Sequence, residues 1–388
     1  DTWTGTSPDC NAPEPTGPKA TLTNAVMNAG PDDTIMVADG IYSEININLP
    51  PDITLQSENG PDACIINCVS VGNAFILNNS DVRIEGFTIM NSITSAIQLS
   101  GSSNIWLVNC VFNNCQSNTP GGAIWCVGSS IQIQQCIFYN NYSDIFGGAI
   151  LASQESSLTI DLCTFEGNSC PAYGGAVRLY NSSATILDSD FDWNQAADAG
   201  GAIHSESSTL FMSFCHFDNN SSETGGGAIY CTMNNTAILS GCTFSGNQQT
   251  GTSSAQGAGA VYVGSDSFLT VNEGVFSNNY TAAKGGAVTT ELSRTTFNGC
   301  TFVNNIAHDE GGAIYSNGTL NLENCSLKYN RAENYSGGAI SIWGDGQISD
   351  CDISGNTSAV FGTVTVNNEA DVHINRCLLT GNRTLSPV

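Results

Sequence analysis

Short stretches of alternating apolar and polar residues recur along the chain. In "SIQIQQCIF", Ile131 and Ile133 alternate with polar residues, and Cys136 and Phe138 resume the alternation after a two-residue polar step. This alternation is typical of β-strands that bury one face, and the polar step predicts a bend between two strands. Another short strand is predicted after each Gly-Gly pair, as in "GGAIYC" and "GGAVRL". The pattern therefore predicts three short strands per repeat.

One apolar position closes each unit, and most steps between its occurrences are 25 to 27 residues. We assign to it Phe87, Phe112, Phe138, Phe165, Phe191, Phe217, Phe244, Phe276, Phe302, Leu327, Ile353 and Leu379. A period in this range predicts a solenoid whose units bury their apolar faces against one another. We expect an all-β fold, namely a right-handed, single-stranded parallel β-helix of roughly 13 to 15 coils with a short N-terminal capping helix.

The sequence predicts an N-terminal arm over residues 1–18 and a β-helix over residues 19–388. Within the β-helix we distinguish a cap, residues 19–63, from a repeat region, residues 64–388. In the cap, "ATLTNAVMNAG" places Leu22 and Val26 on one apolar helical face and ends at Gly-Pro, which predicts a helix over the first coil.

Two irregularities accompany the repeat. The longer step from Phe244 to Phe276 predicts a surface insertion, because a longer loop costs little whereas a shifted register would expose buried side chains. The C-terminal stretch "CLLTGNRTLSPV" reads as a further coil without a covering helix. We therefore expect that copies of the chain could associate end to end.

The repeats resemble those of the chlamydial polymorphic outer membrane proteins, defined by G-G-A-[ILV] and F-x-x-N. The first motif begins at 121, 147, 174, 200, 226, 285, 311 and 337. The second begins at Phe138, Phe165, Phe191, Phe217, Phe244, Phe276 and Phe302. The stretch "AVMNAGPDDTIMVADGIYSEININLPPDITLQSENGP" also looks like the entry coil of the pectate-lyase-like group. Because members of the resembling family are surface-displayed adhesins, the resemblance implies a pectate-lyase-like β-helix with that role.

Composition restricts the partners. Nine Lys and Arg against 35 Asp and Glu give a formal net charge of −26, which argues against binding nucleic acid or anionic lipid surfaces. No apolar run approaches the ~18 residues of a membrane-spanning helix, so no membrane insertion is expected. The first residue is Asp1 rather than Met, which favours a processed, exported protein at an extracellular or cell-surface location.

Ten of the sixteen cysteines are expected to stack in a column: Cys64, Cys110, Cys136, Cys163, Cys215, Cys242, Cys300, Cys325, Cys351 and Cys377. In-register side chains run parallel with their Cβ atoms about 4.8 Å apart, beyond the ~3.5–4.5 Å of a disulfide, so inward packing is favoured over cross-linking. The better disulfide candidates are Cys10, Cys68, Cys115, Cys126, Cys170 and Cys231.

A second column consists of Asn141, Asn168, Asn194, Asn220, Asn247, Asn279, Asn305, Asn330, Asn356 and Asn382. Asn suits a left-handed bend, and stacked carboxamides can hydrogen-bond from coil to coil. Five of the twelve N-x-[ST] sequons lie in this column, where a buried Asn cannot carry sugar. The remaining glycosylation candidates are Asn78, Asn181, Asn219, Asn234, Asn317, Asn324 and Asn334.

Outward positions of the strands after Gly-Gly predict an exposed binding strip for a protein or glycan partner, formed by Trp125, Arg178, His204, Tyr230, Tyr262 and Tyr315. The alternative is that outward strand positions favour aromatic residues through β-propensity alone. Acids before the Gly-Gly pairs could hold Ca²⁺ between coils or could form solvated turns, and they are Asp144, Asp198, Glu223, Asp309 and Glu310. We expect no other metal or cofactor.

Catalytic residues are not assigned. The four histidines, His204, His216, His308 and His373, occupy different repeat positions, and adjacent acids occur at Asp32-Asp33 and Asp309-Glu310. Acid-base hydrolysis needs two carboxylates that converge on one face. We therefore predict a non-catalytic adhesin or a structural component of an extracellular assembly or filament. The alternative is a polysaccharide lyase or glycoside hydrolase of the pectate-lyase-like group.

Overall fold

The structure, a computed structural model, describes residues 21–252, 257–367 and 369–385. It is an all-β parallel β-solenoid of about 13 turns with a short N-terminal helix, which confirms the predicted fold class. The predicted arm, residues 1–18, lies outside the described residues. The chain forms two compact units, one made of residues up to Pro171 with Ala176–Thr185 and the other of Ala172–Gly175 with residues from Ile186 onward.

A regular coil contains four short strands rather than the predicted three. In one coil the first strand, Ile124–Val127, follows Gly-Gly, and the second strand, Ser130–Gln134, carries the apolar alternation. The third strand, Ile137–Tyr139, holds the Phe position, and the fourth strand is Tyr142–Ser143. The fourth strand is missing from the sequence prediction because two residues are too few to show an alternation.

The four classes of strand recur in chain order. The first strands are Ile47–Asn48, Phe75–Asn78, Ile97–Ser100, Ile124–Val127, Ile150–Ser153, Val177–Tyr180, Ile203–Glu206, Ile229–Thr232, Val261–Val263, Ile340–Ile342 and Val364–Val366. The second strands are Thr34–Val37, Ile53–Ser57, Asp81–Glu85, Asn104–Val108, Ser130–Gln134, Ser157–Asp161, Ser183–Leu187, Thr209–Ser213, Thr236–Ser240, Phe268–Asn272, Gly346–Ser349 and Val372–Asn375. First and second strands are continuous in Val288–Asn298 and Ile314–Glu323.

The third and fourth strands complete each coil. The third strands are Gly40–Tyr42, Cys64–Asn67, Thr88–Met90, Val111–Asn113, Ile137–Tyr139, Thr164–Glu166, Asp190–Asp192, His216–Asp218, Thr243–Ser245, Val275–Ser277, Thr301–Val303, Ser326–Lys328, Asp352–Ser354 and Leu378–Thr380. The fourth strands are Gln116–Ser117, Tyr142–Ser143, Ser169–Cys170, Gln195–Ala196, Ser221–Ser222, Gln248–Gln249, Tyr280–Thr281, Ile306–Ala307, Arg331–Ala332, Thr357–Ser358 and Arg383–Thr384.

The Phe column forms the centre of the core in each unit. In the first unit, Phe138 pairs in parallel register with Phe112 and Phe165, at ring-centroid distances of 4.9 and 4.6 Å. In the second unit, successive rings from Phe191 to Phe302 stack with centroid distances between 4.7 and 4.9 Å. Each of these rings is fully buried, so truncation of one would cost about 3–5 kcal/mol.

The assignment of Phe87 to this column is wrong. The register partner of Phe112 in the preceding coil is Ile89, and Ile89 in turn pairs with Ile66. The carbonyl of Phe87 accepts a hydrogen bond from Val111 N, as the carbonyl of Cys110 does from Ile137 N, so Phe87 occupies the cysteine column. The shorter coils at this end shift the alignment by two residues, which a 26-residue period does not reveal.

The Asn column forms a continuous ladder within each unit. In the second unit, Asn220 Nδ2 donates to Asn247 Oδ1 at 3.0 Å, and Asn247 Nδ2 donates to Asn279 Oδ1 at 3.0 Å and to the carbonyl of Phe217 at 2.9 Å. Asn247 Oδ1 also accepts from the backbone N–H of Asn220 at 3.0 Å. Each carboxamide therefore joins three coils and satisfies the backbone at a buried bend.

The cysteine column is also present, without disulfides between its described members. Cys136 Sγ lies 3.4 Å from the backbone nitrogen of Cys110, and Cys163 Sγ lies 3.4 Å from that of Cys136. No disulfide joins any of the fifteen cysteines of the described residues to another, and fourteen of the fifteen are buried. The disulfide prediction is therefore wrong for Cys68, Cys115, Cys126, Cys170 and Cys231, and Cys10 lies outside the described residues.

These off-column cysteines fill other inward columns instead of forming pairs. Cys115 occupies an Asn-column position, because its backbone N–H donates to Asn141 Oδ1 at 3.1 Å. Cys126 pairs in register with Leu99 and Ala152 on the first strands. A thiol is small and apolar enough to replace an aliphatic side chain in such a column.

The N-terminal helix, Leu22–Met27, buries Leu22 and Val26 as predicted. Thr21 caps it by accepting a hydrogen bond from Asn24 N at 3.1 Å. Glu44 Oε1 accepts from Leu22 N at 2.6 Å, which places a carboxylate at the helix start. With six residues, this helix is far too short to cross a bilayer, and the described residues contain no other segment of helix that could do so.

The predicted insertion leaves the register intact. Phe244 pairs directly with Phe276, and Gln249 pairs with Thr281 on the fourth strands. The added residues are therefore accommodated after Gln249 and before the next Gly-Ala-Val, and residues 253–256 lie outside the described part of the chain.

Candidate ligand-binding site

The predicted binding strip follows the outward face of the first strands, but most of it is covered. The exposed fractions are 7% for Arg178, 2% for His204, 2% for Tyr262 and 6% for Tyr315. The predicted exposure of these four side chains is wrong. Of the six residues, Trp125 and Tyr230 remain partly exposed.

Covering side chains come from the segment that precedes each Gly-Gly pair. In the first unit, the ring of Phe146 lies 4.4 Å from the guanidinium carbon of Arg178. In the second unit, Tyr173, His204, Tyr230 and Tyr262 form one stack with centroid distances of 4.6, 5.1 and 4.6 Å. Strand alternation predicts which way a side chain points but not what packs over it.

Polar contacts hold the later part of the strip in place. The hydroxyl of Tyr262 donates to Glu291 Oε2 at 2.9 Å, and Lys284 Nζ lies 4.4 Å from the ring centroid of Tyr315. Burial raises the pKa of Tyr230 to about 12, and burial together with the Glu291 carboxylate raises the pKa of Tyr262. These phenols stay protonated at neutral pH and form a packed outer layer, and their role in binding stays a prediction.

Among the described residues, the two most exposed aromatic side chains, Trp193 and Tyr329, lie instead at bends with left-handed backbone. The residue just before each Asn-column position has positive φ and is Asn or Gly in most coils. Trp193 and Tyr329 occupy this position with φ of 56° and 57° and are 65% and 64% exposed. Phe214, at the bend before the cysteine column, has φ of 52° and is 60% exposed. This conformation is unfavourable for bulky side chains.

Tyr329 borders an open groove of about 570 Å³ in the last described coils. Its ring lies over Gly355, where an added Cβ would approach the ring carbon Cε1 to 2.6 Å. The rest of the lining is small or polar, and consists of Ser354, Gly355, Thr357, Thr380, Gly381 and Arg383. Sequence reasoning missed this groove, although "LKYN" departs visibly from the Asn or Gly usual before the Asn column.

A smaller groove of about 290 Å³ follows the outward face of second strands in the same unit. Amide side chains dominate its lining, including Asn298, Asn321, Gln347 and Asn375. Its Arg376 is already engaged, because Arg376 Nε donates to Asp350 Oδ1 at 2.6 Å. This groove therefore offers mainly neutral hydrogen-bonding groups, together with the carboxylate of Glu323.

An acidic cluster on the third strands of the second unit was also missed. Asp190 pairs in register with His216, and Asp192 pairs with Asp218. Burial raises the pKa of Asp218, and the Asp190 carboxylate adds to the shift while His216 opposes it. His216 Nδ1 lies 2.8 Å from Thr243 Oγ1. Carboxylates 26 residues apart in the sequence thus lie on one face of the sheet. A search for acidic residues that are adjacent in the sequence does not find such a pair.

All seven candidate glycosylation residues outside the Asn column are exposed: Asn78, Asn181, Asn219, Asn234, Asn317, Asn324 and Asn334. In the column, Asn141, Asn220, Asn279 and Asn356 are completely buried, and Asn382 is partly buried. Sugar attachment at the exposed residues stays a prediction.

The acids before the Gly-Gly pairs make individual contacts. Glu310 Oε2 accepts hydrogen bonds from Ser341 Oγ at 3.0 Å and from Trp343 Nε1 at 3.1 Å, and Asp309 lies 3.3 Å from His308 Nδ1. Across the described ranges, no three His, Cys, Asp or Glu side chains converge as metal ligands. Calcium binding at Asp144, Asp198 or Glu223 stays a prediction.

Parallel pairing of equivalent strands and the inward columns define the class of protein as a right-handed parallel β-solenoid. The sequence matches the family described as right-handed β-helix region over residues 38–165 and 148–327, and the chain belongs to this family. This supports the pectate-lyase-like β-helix expected from the resemblance. The likeness to polymorphic outer membrane protein repeats stays a resemblance. No curated protein matches the chain in sequence.

Solved structures share the fold at low identity. The catalytic domain of a GH87 α-1,3-glucanase in complex with tetrasaccharides is 11% identical with a TM-score of 0.52, covering 91% of this chain and 66% of that domain. The catalytic domain of a GH87 α-1,3-glucanase in complex with nigerose is 12% identical with a TM-score of 0.51, covering 91% of this chain and 66% of that domain. PfbA, a surface adhesin of Streptococcus pneumoniae, is 14% identical with a TM-score of 0.44, covering 92% of this chain and 87% of PfbA. The chain thus spans 66% of the glucanase domain's length, and the two glucanase likenesses show the fold alone.

Proposed function

We propose that the chain is a non-catalytic extracellular or cell-surface β-helix protein that acts as an adhesin and binds glycans at its bends. The observation that carries this proposal is the exposure of Trp193 and Tyr329 on left-handed backbone. A bulky residue in this conformation costs on the order of 1–3 kcal/mol, and an exposed ring recovers little of that by packing. Strain of this kind clusters at binding sites.

The chemistry around these rings suits saccharides. A flat aromatic face packs against the apolar face of a sugar ring, while neighbouring hydroxyl and amide groups bond its hydroxyls. Tyr329 has serine and threonine hydroxyls beside it in one groove. The net charge of −26 disfavours polyanionic partners and leaves saccharides with little charge as the favoured class.

Binding of the full chain to an immobilised glycan array tests the proposal. Trp193→Asn and Tyr329→Asn remove the rings and place at each bend the residue that other coils use, so both variants should fold. We expect signal to fall at least about tenfold for the sugars that Tyr329 or Trp193 contacts, the scale of one lost ring contact.

Tyr335→Ala is the matched control, because Tyr335 is 55% exposed and does not line the groove. Its binding should equal that of the unmodified chain. An array with no signal above background, or equal signal for both Asn variants and the unmodified chain, would contradict the proposal.

A second candidate function is glycoside hydrolysis, which the in-register pair Asp192 and Asp218 favours. Adjacent strands lie about 4.8 Å apart, so the two carboxylates project side by side, and burial raises the pKa of Asp218 with a contribution from Asp190. A protonated carboxyl can act as general acid and an ionised one as base or nucleophile. The pair thus supplies the two groups that hydrolysis needs.

Release of reducing sugar from α-1,3-glucan, the substrate in the names of the structural neighbours, tests this candidate. Hydrolysis that Asp192→Asn and Asp218→Asn each reduce by about a hundredfold or more would establish it in place of the non-catalytic role. No release by the unmodified chain from α-1,3-glucan, pectin or arabinan would count against it.

A further inference from the structure

The floor of the Tyr329 groove carries no side chain beyond the tyrosine ring, because the Tyr329 ring covers Gly355 and the next glycine, Gly381, is bare. Tyr329 is followed by Gly355 and Gly381 at the equivalent bends of the next two coils, with φ of 68° and 63°. The bare backbone at Gly381 spans about one coil spacing, ~4.8 Å, which leaves room for one sugar ring beside the phenol. Because a Cβ at Gly355 would lie 2.6 Å from the Tyr329 ring, the glycine also allows that ring its position.

Polar side chains border this floor in two register pairs. Ser354 pairs with Thr380 on the third strands, before the bend, and Thr357 pairs with Arg383 on the fourth strands, after it. The hydroxyls supply donors and acceptors, and Arg383 supplies a planar array of donors at the side opposite Ser354 and Thr380.

Arg383 differs from the other basic residues near it. Lys328 lies 2.7 Å from Asp352, Arg331 lies 3.6 Å from Glu333, and Arg376 lies 2.5 Å from Asp350. Arg383 is exposed and has no carboxylate within ion-pair distance among the residues that the structure places. In a chain with nine basic and 35 acidic residues, an unneutralised guanidinium in a groove is a specific feature.

We infer that this groove binds a terminal sugar that carries a carboxylate, with the sugar face on Tyr329 and the carboxylate on Arg383. The inference rests on the proposed glycan-binding function and names its ligand class. A guanidinium recognises a carboxylate through two parallel hydrogen bonds, which gives both affinity and orientation. One acidic residue at a chain end fits better than a polyuronate, because the net charge of −26 repels repeated negative charges.

Calorimetric titration of the full chain with matched probes tests this inference. The probes are 3′-sialyllactose against lactose, and methyl glucuronide against methyl glucoside, since each pair compares a carboxylate-bearing sugar with a neutral one. We expect the acidic member of at least one pair to bind about tenfold or more tightly. This preference should weaken as salt rises, because Arg383 is exposed.

The variants separate the two contacts. Arg383→Gln should bring the acidic probe to the affinity of its neutral partner, and Arg383→Lys should retain part of the preference as a point charge. Tyr329→Asn should weaken acidic and neutral probes alike. Arg294→Gln and Tyr335→Ala remove an exposed arginine and an exposed tyrosine outside the groove, and should leave all affinities unchanged.

The outcomes distinguish this inference from the proposed function. Equal affinity for acidic and neutral probes, unchanged in Arg383→Gln, would overturn the inference and leave glycan binding standing. If the chain prefers the acidic probes but Tyr329→Asn does not weaken their binding, the binding site lies elsewhere and the assignment to the Tyr329 groove is wrong. If none of the four probes binds here while the glycan array shows binding through Trp193, the inference alone fails. If the array is also negative, both fail.

Discussion

The outward face of the first strands and the bends before the Asn column use aromatic residues in opposite ways. Tyr262 is 2% exposed, stacks on Tyr230 at 4.6 Å and bonds Glu291, whereas Tyr329 is 64% exposed on left-handed backbone. Both side chains point away from the core. The difference shows that direction and exposure are separate properties in a β-solenoid, because loops cover one outward face and leave the bends open.

Substitutions in the inward columns should destabilise the chain more than those at either kind of outward aromatic residue, and Asn247→Ala should have the largest effect. The substitution removes the bonds to Asn279 and Phe217 and leaves the amide groups of Asn220 without their acceptor. We expect a loss of about 3–5 kcal/mol in the free energy of unfolding, since several buried polar groups lose partners together. Urea denaturation followed by circular dichroism measures it, with exposed Asn317→Ala as the control.

Tyr262→Ala tests whether the covered strip behaves as core. Its ring stacks on Tyr230 and is almost fully buried, so truncation should destabilise the chain by about 3 kcal/mol. Tyr329→Ala, the same change at an exposed ring, should alter the free energy of unfolding by no more than about 0.5 kcal/mol in either direction. Equal losses in the two variants would mean that the strip is not packed as described.

High pH should destabilise the buried columns, because they contain thiols, whereas the exposed aromatic residues at the bends should not contribute to this loss. Burial raises the pKa of the Cys115 and Cys126 thiols to about 11 and that of Cys231 to about 12. Because these values exceed the ~8.5 of an unfolded thiol, their stabilisation is complete below pH of about 8.5 and is lost as pH rises through about 11. Under reducing conditions, urea denaturation should show that each of these thiols lowers the free energy of unfolding by on the order of 3 kcal/mol between pH 8 and pH 11.

Trp193→Asn should change the free energy of unfolding least among these predictions, and should raise it rather than lower it. Asn adopts left-handed backbone more readily than Trp, and the 65% exposed ring contributes little packing, so we expect stabilisation by about 0.5–1 kcal/mol. Thermal unfolding of the two chains measures the change. A clear destabilisation would show that Trp193 packs against the surface, and would remove the argument from strain.

The inward half of the fold could be predicted from sequence because each inward column repeats one residue type. The Phe and Asn columns from Phe112 onward follow from spacing alone, and the helix at Leu22 follows from its apolar face. Phe87 was misplaced because the early coils are shorter than the later ones. The fourth strand and the cap at Glu44 depend on three-dimensional contacts that no local pattern encodes.

The candidate site was harder to predict because its residues are exceptions to the repeat. Alternation marked Tyr262 and Tyr315 as outward, but the covering of both depends on the path of the preceding segment. Asp192 and Asp218 meet only when two coils are stacked in register. Tyr329 left a visible trace, an aromatic residue where other coils use Asn or Gly, which becomes informative once positive φ is known there.

The Asn ladder has a direction, and this bears on how such a chain can change its length. Each carboxamide offers its oxygen to the coil before it and its nitrogen to the oxygen of the coil after it. A duplicated coil therefore brings the acceptor that its predecessor needs and leaves one identical donor open on its far side. Whole repeats can be gained or lost in evolution without stranding a buried amide, whereas a partial repeat cannot.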